Sequence, residues 1–108
     1  MASLPYRART ASGDIFDIQF PLHPETADPV RVGQMVTALL DCMEKDIGIV
    51  GETSNGDVLQ AFAMAMAVRA RMIHASQEVV APLSAALLRG ALEAVATADH
   101  TRPQSGRA

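Results

Sequence analysis

Between Asn55 and His74 the chain is apolar on nearly every side of a helix. At 3.6 residues per turn the polar side narrows to Gln60, Ala67, Arg71, His74 and, beyond them, Glu78. Val58, Leu59, Phe62, Ala65, Met66, Val68, Met72 and Ile73 cover most of the rest. A helix with so wide an apolar girth lies at the centre of its domain or inside an oligomer. Ala61 with Ala65, and Ala63 with Ala67, leave room for another helix to approach closely.

The remainder of the chain has little with which to cover that helix. Its 108 residues support a single domain. Nearly half are apolar, but nineteen are alanine, which adds little buried area, and the aromatics stop at Tyr6, Phe16, Phe20 and Phe62. An ordered region of roughly 60 to 80 residues buries only about 60% of its unfolded surface and leans on idealised packing or a second copy. No disulfide framework compensates, because Cys42 is the single cysteine. An unpaired thiol fits a reducing compartment, so a cytoplasmic location is expected.

The chain is expected to be mainly α: three helices at about 29–47, 55–75 and 82–98, preceded by an extended N-terminal arm or short strand at about 15–20. Phe16, Ile18, Phe20 and Leu22 alternate with Asp17 and Gln19 in the two-residue period of a half-buried strand. Pro21 lacks a ladder donor and points to an edge position or an arm packed on helices. Asp28 can cap the first helix and Pro29 suits its first turn. Val32, Met35, Val36, Leu39, Leu40, Met43 and Ile47 then make one apolar stripe. Gly48 is read as the left-handed residue ending that helix, with Ile49 folding back onto Met43. Ile49 and Val50 then either pair with the strand or plug the base of the helix pair.

Ser54, with Asp57 three residues on, has the pattern of a capping box for the second helix. Pro82 removes one backbone bond and is expected to separate the second and third helices through a turn near 76–81. A seven-residue spacing, Leu59, Met66, Ile73, Val80, Leu87 and Ala94, nevertheless runs straight through it. In the third helix Leu83, Leu87, Ala91, Ala94 and Val95 are the packing positions, with Arg89 and Glu93 paired on the outer side. Residues 1–14 and 99–108 read as disordered tails around one helical domain at 15–98. The first of these lacks the continuous apolar stretch of a secretory leader.

Charge narrows the partners. The formal net charge is −3, against the basic surplus that phosphate neutralisation needs, so a nucleic-acid partner is not expected. Eight of the nine basic residues are arginine, which reads as the coding bias of a GC-rich, bacterial-type genome. The charge-free run Val58–Val68 falls short of the ~20 residues a bilayer requires, so no membrane partner is expected.

No phosphate-binding glycine loop, paired-cysteine zinc spacing or H-E-x-x-H is present, and His23, His74 and His100 lie far apart. Asp41, Glu44, Asp46 and Glu52 lack the alternation of a calcium loop. Cys42, beside Asp41 and Glu44, reads as a buried structural thiol, since acidic neighbours disfavour a thiolate. No nucleophile–base pair can be named, so no enzyme and no cofactor are expected. Met35, Met43, Met64, Met66 and Met72 either fill gaps in a core or form an adaptable docking face.

Arg69 stands out of pattern. It falls between Val58, Phe62 and Ile73 in the middle of the apolar face, where a guanidinium must be paired or costs several kcal/mol. It either snorkels along Phe62, pairs with Asp14, Asp17 or Glu25 or with a carboxylate of a second chain, or meets a bound anion. The interface or anion candidates are therefore Arg69, Phe62, Met66 and Ile73 on the second helix, with Phe16 and Phe20 on the arm. The functional expectation is a small non-enzymatic helical interaction module that forms a homodimer or docks a partner protein. The alternatives are a ribbon–helix–helix-like DNA-binding regulator, suggested by the order strand, helix, helix, and a small-ligand-binding protein using Arg69.

Overall fold

The computed structural model describes residues 2–103; Met1 and residues 104–108, half of the expected C-terminal tail, lie outside the described residues. The elements run β1 (Ser3–Arg9), β2 (Ile15–Pro21), α1 (Pro29–Val50), α2 (Asn55–Arg71), α3 (Gln77–Ala96) and β3 (Asp99–Thr101). Three helices make the chain mainly α, but the expected arm is a three-stranded antiparallel sheet in the order β1-β2-β3. Two units can be distinguished: one holds residues up to Gly33 together with those from Leu87 onward, the other Gln34–Ala86.

In the first unit, β2 is the strand expected at 15–20, placed at the centre of the sheet and not at its edge. Leu4 stands opposite Phe20, Tyr6 opposite Ile18 and Ala8 opposite Phe16. Leu4, Tyr6 and Ala8 are half-buried while Ser3, Pro5, Arg7 and Arg9 are exposed, the alternation of a one-faced strand. Part of the expected N-terminal tail is thus ladder. Pro5 is tolerated because β1 is an edge strand. β3 pairs only with Ile15–Asp17, so Pro21 lies beyond the stretch of β2 that has two neighbours.

The β1–β2 connection closes on itself. The Thr10 amide donates to the Asp14 carbonyl at 2.9 Å and the Gly13 amide to the Thr10 carbonyl at 3.0 Å. Gly13 has φ +95, a conformation that side chains disfavour. Ile18, 5% exposed, is the buried centre of this face. The helices reach the same sheet at small residues: a Cβ on Gly33 of α1 would lie 3.8 Å from Leu4, and one on Gly90 of α3 would lie 3.8 Å from Pro21.

The helix starts follow from local chemistry. The Asp28 carboxylate accepts from the Arg31 amide at 3.1 Å, ahead of Pro29. Ser54 accepts from the Asp57 amide at 3.1 Å. Replacing Ser54 with alanine should cost about 0.5–2 kcal/mol, read as a lower denaturant midpoint; no change would mean that α2 does not depend on this cap.

The helix ends differ from expectation. α1 continues through Gly48 to Val50, and Gly51, at φ +111, is the residue that turns the chain out. Its amide donates to the Ile47 carbonyl at 2.8 Å. Gly48 therefore only weakens a helix interior, while Ile49 and Val50 are neither strand nor plug but exposed helix. Gly48→Ala, with no atom near its new methyl group, should stabilise by about 0.5–1 kcal/mol. Gly51→Ala should destabilise by roughly 1–2 kcal/mol through backbone strain alone. Thermal melts of the two variants read both signs, and the reverse order would restore Gly48 as the helix end.

α2 ends at Arg71, four residues short of expectation, as the Ile73 amide turns to the Ala70 carbonyl at 3.1 Å. α3 begins five residues early, at Gln77, with the Val79 and Val80 amides both on the Ser76 carbonyl at 3.0 Å. The turn accordingly spans 72–76 and Pro82 sits inside α3. There it forfeits one bond in the second turn, and the helix absorbs this. α3 is also long and apolar enough to cross a membrane by length and composition, with mean hydropathy 1.5. Counting charge-free runs overlooked it, because Arg89 and Glu93 interrupt an otherwise apolar segment.

Candidate interaction surface

The second unit combines the later part of α1, all of α2 and the first part of α3. Its one buried apolar residue is Val80. On this later part of α1 the half-buried positions are Val36, Met43 and Ile47, and Leu39, on the same face, is exposed. On α2 only Val58, Phe62 and Ala70 are half-buried. Leu59 and Met66 stand exposed on one flank of that stripe, and Met64 and Val68 on another, with Met72 and Ile73 exposed in the turn that follows. Val79 and Leu83 continue the exposure on α3. The wide apolar girth read from the sequence is present, and within this unit much of it is uncovered.

The candidate residues fall into two groups in separate units. Phe16 and Phe20 are half-buried on β2, where Phe20 tilts against Tyr6 at 6.2 Å between ring centroids. Phe62, Met66 and Arg69 lie on α2, with Ile73 in the turn beyond it. Arg69 is exposed while Val58 and Phe62 on its face are half-buried, the exposure that the snorkelling alternative requires. Two of its expected partners are engaged elsewhere, Asp17 by Arg7 at 2.7 Å and Asp14 by His100 at 2.8 Å. Cys42 is exposed as well, and not the buried thiol expected, because the edge of α1 on which it sits is uncovered.

Sequence reasoning missed one cluster, where β3 returns to the β1–β2 turn. Asp14 accepts from Ser12 at 2.7 Å and meets the His100 Nε2 at 2.8 Å, while the imidazole stacks on Phe16 with centroids 4.3 Å apart. Here the carboxylate stands between hydroxyl and imidazole. Ser12 donates to Asp14 and not to a base, so the arrangement fastens a strand and does not activate a nucleophile. Among the described residues, no three His, Cys, Asp or Glu side chains gather as a metal site would require.

The hydrogen bond from His100, with that from Ser12, holds the Asp14 carboxyl below the usual carboxylate range. The Arg7 hydrogen bond does the same for Asp17, and Asp17 in turn raises Arg7. A carboxyl depressed on folding contributes stability that is complete above its unfolded value, about 4, and is lost as pH falls through the folded value. The Phe16–His100 ring contact should therefore outlast the unfolded carboxylate value, about 4, and be lost only at lower pH, as read by an NMR titration. In Asp14→Asn that acid step should vanish; its survival would assign it to another group.

Comparison with protein-family models, curated proteins and solved structures finds no match to this chain.

Proposed function

We propose that the chain is a non-enzymatic helical interaction module whose exposed helix faces are covered by association with itself or with a partner protein. The observation that carries this reading is the imbalance of burial. Among the described residues only Ile18 and Val80 are buried apolar side chains, whereas large apolar residues stand exposed along all three helices. Contiguous apolar exposure on this scale marks an interface. The sheet does not favour the ribbon–helix–helix alternative, because β2 already has a neighbour on each side and the order of elements begins with two strands. A cytoplasmic setting suits an exposed, unpaired Cys42.

Binding of a naphthalene-sulfonate dye, which reports open apolar surface, tests the reading. The concentrated native protein should bind little dye, and dye fluorescence per chain should rise on dilution as the faces open. Strong, concentration-independent dye binding by the folded protein would leave only the partner protein as the cover, and a folded monomer that binds no dye would contradict the reading.

A further inference from the structure

We draw no further inference here: the strongest candidate, the outer edge of strand β1 (Ser3–Arg9), lacks an amide donor at Pro5, has its Arg7 already paired with Asp17, and nothing in the structure shows what covers it.

Discussion

Ile18→Ala should cost about 2–5 kcal/mol, the range for emptying a buried aliphatic site that cannot fully collapse. Ile18 sits at the middle of β2, 5% exposed, with Tyr6 opposite it on β1. Phe16 and Phe20 share its face on either side, held by His100 and Tyr6. The sheet therefore keeps the cavity open and does not close over it. Small domains hold only about 5–15 kcal/mol in total, so the variant should lose much of its denaturant midpoint at fixed protein concentration. A loss under about 0.5 kcal/mol, the size of a surface effect, would show that the sheet is not a stabilising centre.

Diluting the wild-type protein a hundredfold should lower its unfolding midpoint by about 6 °C. Mass action on a dimer takes away about 2.7 kcal/mol for each hundredfold. Shared between two chains of this length, that corresponds to about 6 °C at the usual unfolding entropy per residue. The expectation follows from the uncovered faces of α1, α2 and α3. If those faces are filled only by association, folding and assembly are one equilibrium. Calorimetry across the dilution series reads the shift. A midpoint independent of concentration would make the chain stable alone, despite its open apolar surface.

What could be read from the sequence was what neighbouring residues decide among themselves. Asp28 with Pro29, and Ser54 with the Asp57 amide, start helices through bonds spanning three residues, and both starts stand where expected. The ends were harder, because two glycines three residues apart compete to stop α1. Only Gly51 takes the left-handed conformation, a choice that no local preference reveals. Pro82 misplaced the start of α3 because a proline early in a helix forfeits so little.

The sheet was half legible. The alternation of β2 is clear, but that of β1 rests on Leu4, Tyr6 and Ala8 across an intervening proline. β3 is three residues paired with a strand more than eighty positions earlier. The Asp14–His100–Phe16 fastening is invisible for the same reason. On α2 the wheel placed Arg69 on the apolar face, but position on a face is not burial, and Arg69 is exposed beside half-buried Val58 and Phe62.

Sedimentation equilibrium of the unmodified chain tests the central claim most directly: that this fold is completed by association. At about 10–100 μM, where a midpoint linked to assembly should be well populated, the folded protein should sediment at twice its 11.4 kDa chain mass. A well-folded species of 11.4 kDa throughout that range would contradict the account.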